Sequence, residues 1–302
     1  MTGRLDRFAL LDRFALIVKT ILAPPSYLTY FAPVRQIRPQ VARKLGERLV
    51  PRPIPAVAFR ELGLFGQLGN QLWQIASTLG IADSRGAEAR FNDDWGYRRQ
   101  FSVPGLHFQD ADGPELYARS LALHIPPPFR VAMQDLQLFR QIEPRIRSYF
   151  APNPPTYAAL EEKFSELLKV PNKTAMHVRR GDYLVHPENH PVATQAYYRA
   201  GIERLGETNI VVFSDDIDWC RRNLGWARPL AFVEANTDFE DLFLMTLCQH
   251  HILANSSFSW WGAFLSDDLH PIYPLRWYGP SLHGLGIDQS LMFTDDWIGI
   301  DA

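Results

Sequence analysis

Two periods of apolar and polar positions alternate along the second half of the chain. Short apolar runs at 174–178 (TAMHV), 209–213 (NIVVF), 230–233 (LAFV), 251–254 (HILA) and 270–273 (HPIY) read as buried strands. Helical spacing fills the intervals at about 195–205, 217–224, 238–249 and 258–266. Strands alternating with helices at this interval predict a parallel sheet with helices on both faces. Upstream, an apolar run at 56–59 leads into the glycine-rich turn GLFGQLGNQ (63–71) and a helical pattern from about Asn70 to Ala82. The stretch from 89 to 150 is less regular, and a triple proline at 126–128 marks a loop. Pro152, Pro154 and Pro155 read as a connection between domains, ahead of a polar helix over 157–169. The expected division is a leader over 1–55, an N-terminal α/β domain over 56–155 and a C-terminal α/β domain over 156–302.

The leader has its own pattern. Over residues 4–22, Leu10, Leu11, Phe14, Val18, Ile21 and Leu22 share one helical face, with Asp12, Arg13 and Lys19 opposite. Such a helix fits peripheral contact with an anionic membrane surface and equally fits docking on protein. Its charges exclude a transmembrane span, and no secretory-signal pattern is read. Residues 1–52 hold ten Lys/Arg against three Asp/Glu, whereas the whole chain carries −2, so a basic leader precedes an acidic body. That balance gives no electrostatic basis for a nucleic-acid partner. The two cysteines, Cys220 and Cys248, lack metal-type spacing and read as reduced, buried thiols of a cytoplasmic protein.

Chemistry enters at the strand ends, because ligands of open parallel sheets collect at the carboxyl edge, above all at a switch in strand order. After TAMHV comes Arg179-Arg180-Gly181-Asp182, after NIVVF Ser214-Asp215-Asp216, after LAFV Glu234, and after HILA Asn255-Ser256-Ser257-Phe258-Ser259. The set suits a nucleotide diphosphate. Arginine forks pair with phosphate oxygens, Asn255-Ser256-Ser257 opens a helix whose N–H groups favour an anion, and acids suit ribose or base donors. Each element has a plainer reading: the serines as caps of helix 258–266, the acids as caps of helix 217–224. Trp260 and Trp261 point about 100° apart on a helix, so one is read as core and the other as a possible wall of a sugar site. His186 and His190 in a proline-flanked loop, and His250-His251 before a strand, give no metal site. Asp216-Ile217-Asp218 matches the D-x-D pattern of metal-dependent glycosyltransferases, and Arg180-Gly181-Asp182 matches an adhesion tripeptide. Both are kept as alternatives, a metal-dependent transferase and an adhesion module.

The blocks GQLGNQLWQ (66–74), HVRRGDY (177–183), VFSDDIDWC (212–220) and ANSSFSWWGAFL (254–265) resemble, in order and spacing, the signature blocks of the α-1,2-fucosyltransferases. MQDLQLFRQIEPRIRSYF (133–150) and YYRAGI (197–202) look similar too, so the likeness runs from about 57 to 276. It implies a GT-B-like fold of two Rossmann-like α/β domains, with the parallel sheet of the C-terminal half binding the nucleotide. The implied reaction moves L-fucose from GDP-fucose to the 2-hydroxyl of a galactoside, with inversion and without a metal or other cofactor. The product would be a surface or secreted glycan, made at the inner face of a bacterial-type membrane. Carried over by residue, Arg179 would hold the β-phosphate, with Arg180 assisting or pairing with Asp182. His177 and Asp182 would line the nucleotide side, and Asp215 and Asp216 the ribose or guanine. Asn255, Ser256, Ser257 and Phe258 fall in the block implied to contact phosphate and base. Asn70 and Gln71 would face them near pyrophosphate and acceptor. Two positions depart from the family pattern: Gln67, where a second glycine or a basic residue is more usual, and Trp73, where phenylalanine is usual.

Overall fold

The computed structural model describes residues 56–102, 107–108, 115–121 and 132–301. The leader over 1–55, its pattern at 4–22 and the prolines at 126–128 lie outside them.

The first strand, β1 (Ala56–Phe59), forms over the apolar run alone and is buried throughout. It is followed by the long helix α1 (Leu68–Asp83) and β2 (Glu88–Phe91), with β3 (His107–Phe108) and β4 (Glu115–Tyr117) completing a four-stranded sheet in the order β3-β2-β1-β4. Nearly all of α1 is buried, including Ser77 and Thr78. A helix enclosed on every side must satisfy such hydroxyls internally. Ser77 Oγ donates to the Met133 carbonyl at 2.9 Å and Thr78 Oγ1 to the Gln74 carbonyl at 2.7 Å.

Helices α2 (Glu143–Tyr149) and α3 (Pro154–Lys163) then lead towards the second half. Pro154 and Pro155 occupy the first positions of α3, and Asn153 caps it by accepting from Thr156 N at 3.0 Å. These prolines open a helix where the sequence suggested a connection, since proline's missing N–H costs nothing in a first turn.

The second sheet has six strands: β5 (Lys173–Val178), β6 (Asn209–Ser214), β7 (Ala231–Phe232), β8 (His250–Ile252), β9 (Ile272–Pro274) and β10 (Ile298–Ile300), in the order β10-β9-β8-β5-β6-β7. All its described pairings are parallel. Helices α4 (Gln195–Leu205), α5 (Ile217–Asn223), α6 (Asp238–Thr246) and α7 (Ser257–Phe264) alternate with these strands. Burial of all six β5 residues follows from covering both faces. With a parallel sheet in each half, this is the GT-B-like α/β architecture. Chain order runs from β5 to β6 and β7 on one side, then crosses to β8 on the other, so the switch in strand order falls between β5 and β8.

Aromatic packing holds the halves together. Trp73 of α1 lies 4.2 Å from Trp260 and 5.5 Å from Trp261 of α7, centroid to centroid. All three indoles are fully buried. At about 25 cal/mol per Å2, a buried tryptophan contributes roughly 4–6 kcal/mol of apolar burial. Trp260 and Trp261 are therefore both core, and the expected sugar-facing tryptophan is corrected: the helix is enclosed on both flanks by α1 and α6. The Trp73 departure is absorbed in the same packing. Cys220 and Cys248 are buried and unpaired.

Candidate active site

The loops that leave β5 and β8 diverge from the switch point, and the glycine turn before α1 faces them. Between lies a cavity of about 350 Å3. Arg179, Asp182 and Tyr183 line it from β5, Asn255 to Phe258 from β8 and the start of α7, and Gly66, Gln67, Gly69 and Asn70 from the facing turn.

The two adjacent arginines have different fates. Arg180 does not line the cavity; its guanidinium lies 3.9 Å above the Trp219 ring and its Nε donates to Asp216 at 3.2 Å. Arg179 lines the cavity, held by Asp182 at 2.7 Å through Nη2 and by Asp215 at 3.3 Å through Nε. None of its described contacts uses Nη1. A cation fixed on two edges with donors left over is prepared for an anion. Gly181 between them leaves room for the Asp215 carboxylate, since a Cβ there would sit 2.5 Å from Asp215 Oδ2.

Asp215 and Asp216 hold this loop from beneath and do not line the cavity. Asp215 Oδ1 accepts from Arg180 N at 2.9 Å, and Asp216 caps α5 by accepting from Trp219 N at 3.1 Å. Glu234 pairs with Arg221 at 2.6 Å, likewise away from the cavity. Of the four polar strand ends, the two flanking the switch point reach the cavity.

At the start of α7, Ser256 is the N-cap and accepts from Phe258 N at 3.3 Å. Ser257 Oγ instead donates across the cleft to Asn70 Oδ1 at 2.9 Å. Asn70 Oδ1 also accepts from Gln134 Nε2 at 2.8 Å, and Tyr278 Oη donates to Gln134 Oε1 at 2.7 Å. This chain ties α1, the segment after β4 and the segment after β9 into one wall. Asn255 donates through Nδ2 to the carbonyls of Pro191 and Trp277 at 2.9 and 3.0 Å. Gln71, one residue beyond Asn70, is buried away from the cavity; its Nε2 donates to the Gly66 carbonyl at 3.0 Å and its Oε1 accepts from Trp95 at 2.8 Å.

His177 is buried behind the cavity, its ring 5.7 Å from that of Phe258, with Nδ1 lacking a partner. Burial, and secondarily the Arg179 charge, push its pKa down to about 3. It is a neutral, enclosed imidazole.

Sequence reasoning missed Gln134, Tyr183, His190 and Tyr278, all cavity residues. Gln134 follows Met133, whose φ of 52° is left-handed, a conformation no residue-level signal announces in methionine. His190 stacks on Tyr183 at 4.8 Å and 18°, and Arg179 lies 5.5 Å from the same ring. Its position in a proline-flanked loop gave it no partner in the sequence. Among the described residues no cluster of three or more His, Cys, Asp or Glu is placed to hold a metal ion. No described helix is long and apolar enough to cross a membrane.

Residues 159–301 match the family model for glycosyl transferase family 11. The chain is 38% identical over 158 residues to an alpha-1,2-colitosyltransferase of Escherichia coli, a match covering 48% of this chain and 54% of that protein. It thus spans about half the length of that relative. It is 26% identical over 284 residues to galactoside alpha-(1,2)-fucosyltransferase 1 of Saimiri boliviensis boliviensis, covering 78% and 73% respectively. Among solved structures it is similar to fucosyltransferase NodZ from Bradyrhizobium, at 12% identity and a TM-score of 0.48, covering 70% of this chain and 93% of that one. Three of the four blocks that resemble α-1,2-fucosyltransferases, HVRRGDY, VFSDDIDWC and ANSSFSWWGAFL, fall inside the family match. The match to glycosyl transferase family 11 takes in the arginine loop and every strand of the six-stranded sheet.

Proposed function

We propose that the chain transfers L-fucose from GDP-fucose to the 2-hydroxyl of a galactoside, with inversion and without a metal. The observation that carries this reading is Arg179, a fixed cation lining a cavity at the switch point while its neighbour Arg180 is committed to the scaffold. Fucosyl transfer builds positive charge on the sugar and negative charge on the departing diphosphate. A guanidinium already in place at the leaving group stabilises the transition state more than the ground state. Arg179 supplies there the charge that a divalent cation supplies in other transferases. The start of α7, with Ser256 and Ser257, adds donors for the same phosphates. The activities for which the two relatives are named, α-1,2 transfer of colitose or fucose, point the same way.

The alternatives draw less support. Asp216 is engaged with Arg180 and the first turn of α5, and neither it nor Asp218 lines the cavity. Both charged residues of the Arg180-Gly181-Asp182 tripeptide are engaged within the protein, Arg180 by Trp219 and Asp215 and Asp182 by Arg179.

The test is incubation with GDP-fucose and GDP-colitose against a panel of galactosides, followed by linkage analysis. Arg179→Ala is expected to cost at least ~10²–10³-fold in turnover, the range seen on removing one transition-state donor, with an unchanged circular dichroism spectrum. Near-normal turnover in that variant would sink the phosphate role.

A further inference from the structure

Building on the fucosyl-transfer reading, we propose that His190 is the general base of the reaction, taking the proton of the acceptor hydroxyl through its Nε2. Four groups lining the cavity are proton acceptors in principle: Asp182, Tyr183, His190 and Tyr278. Asp182 is bound to Arg179 at 2.7 Å. Tyr183 donates to the Asn255 carbonyl at 2.9 Å and Tyr278 to Gln134 at 2.7 Å, and burial pushes both phenols up, so they stay protonated. His190 is left. Its Nδ1 is sealed from solvent without a partner among the described residues, whereas Nε2 makes no hydrogen bond to them and is not sealed.

The surroundings suit a base that is neutral at rest. The groups facing His190 are the Tyr183 ring stacked at 4.8 Å, the Tyr278 ring at 6.2 Å, and the charges of Asp182, Arg179 and His186, the last paired with Glu188 at 3.6 Å. Burial holds its pKa below 6.5, Asp182 opposes that, and Arg179 and His186 reinforce it. The imidazole is therefore deprotonated at pH 7, with the Asp182 carboxylate at hand for the imidazolium that forms. Arg179 and His190 both lie against Tyr183, so the leaving phosphate and the attacking hydroxyl are served from one ring. In the step, the acceptor oxygen bonds to fucose C1 as its proton moves to Nε2. The bond from C1 to the β-phosphate oxygen breaks, and its electron pair leaves with GDP. The proton then returns to solvent.

The test compares two acceptors with GDP-fucose as donor: a galactoside, which must lose a proton, and azide, an anion that has none to lose. In His190→Ala and His190→Gln, galactoside kcat is expected to fall ~10²-fold or more, the usual worth of a positioned base. Azide transfer stays within a few-fold, and the acid limb of the wild-type galactoside profile below pH 6.5 disappears. Parallel loss of both reactions in both variants, or retention of galactoside kcat with its acid limb, overturns the assignment. Wild-type chain that makes neither product refutes fucosyl transfer itself, a result distinct from either.

Discussion

Replacing Gly69 by alanine tests how closely the site depends on the contact between the two halves. Gly69 is the second residue of α1, and a Cβ there would lie 2.5 Å from Phe258 N, 2.7 Å from Ser257 C and 2.8 Å from Phe258 Cα. All three are backbone atoms of the first turn of α7, so no side chain can swing aside; one helix must move by about 1 Å. Overpacking of this kind costs about 1–3 kcal/mol, and alanine's better helix propensity returns up to ~1 kcal/mol. The net loss of about 1–2 kcal/mol converts to a Tm lower by roughly 2–8 °C, at about 2–4 °C per kcal/mol for a body of this size. Binding is expected to suffer more than stability. The displaced turn carries Ser256, Ser257 and Phe258, and Asn70 adjoins Gly69 on the other side. A shift of about 1 Å in a positioning group costs up to ~10²-fold, so GDP affinity measured by calorimetry should fall at least ~10-fold.

Two controls separate local from global effects. At Gly80, on the same helix, a Cβ would overlap the Leu138 carbonyl oxygen, outside the cavity lining. Gly80→Ala should lose stability and keep its GDP affinity. At Gly96 a Cβ meets nothing within 4 Å, and Gly96→Ala should change neither. Wild-type Tm and GDP affinity in Gly69→Ala, or an equal loss of affinity in Gly80→Ala, would refute the reasoning.

Two further outcomes concern pH. The His177 pKa of about 3 in the fold lies below its ordinary 6.5, so its share of stability is present above pH 6.5 and is lost as pH falls towards 3. Urea unfolding of His177→Gln should show a shallower loss between pH 6.5 and 4.5, by up to about 2–3 kcal/mol; identical slopes would contradict the burial argument. Asp241, with its carboxyl pushed up to about 6 chiefly by burial, has the opposite sign: it favours folding below its ordinary 3.8 and loses that advantage as pH rises through 6. Asp241→Asn keeps an oxygen for the 2.9 Å bond from Asn236, so it should be more stable than wild type by about 1–3 kcal/mol at pH 7.5. The gap should close by pH 4, and a gap of equal size at both pH values would exclude titration as its cause.

What could be read from the sequence was whatever depends on near neighbours. Strand β1 and helix α4 occupy the runs that their own periodicity marks, 56–59 and 195–205. Ser256 and Asp216 cap the helices that follow them, as short polar side chains at those places should. The misreadings arise where long-range packing decides. Nothing local distinguishes Trp260 from Trp261, because what encloses the second indole is Phe139, Phe150 and Trp73, all more than a hundred residues earlier. Tyr278 joins the cavity wall through Gln134 and Asn70, both more than a hundred residues earlier.

The strand ends show the same division more sharply. A polar residue at the carboxyl end of a parallel strand has two possible tasks, to face a ligand or to hold the loop that does. Which it takes depends on its distance from the switch point, and that distance is a property of strand order, which the sequence does not display. Asp215 and Asp216 end β6, one strand away from the switch, and their reach extends to Arg179 and Arg180 rather than to the cavity. Glu234, two strands away, meets Arg221. A usable signal was nonetheless present: two adjacent cations at 179–180 and two adjacent anions at 215–216, on consecutive strands of a predicted parallel sheet. In-register pairing of the strands brings the two pairs together, and charge complementarity then commits the acids to the arginines. Three carboxylates thereby serve two guanidiniums, Asp182 and Asp215 holding Arg179 while Asp216 holds Arg180. The acids expected to bind a nucleotide's sugar or base instead fix the cation that would meet its phosphate.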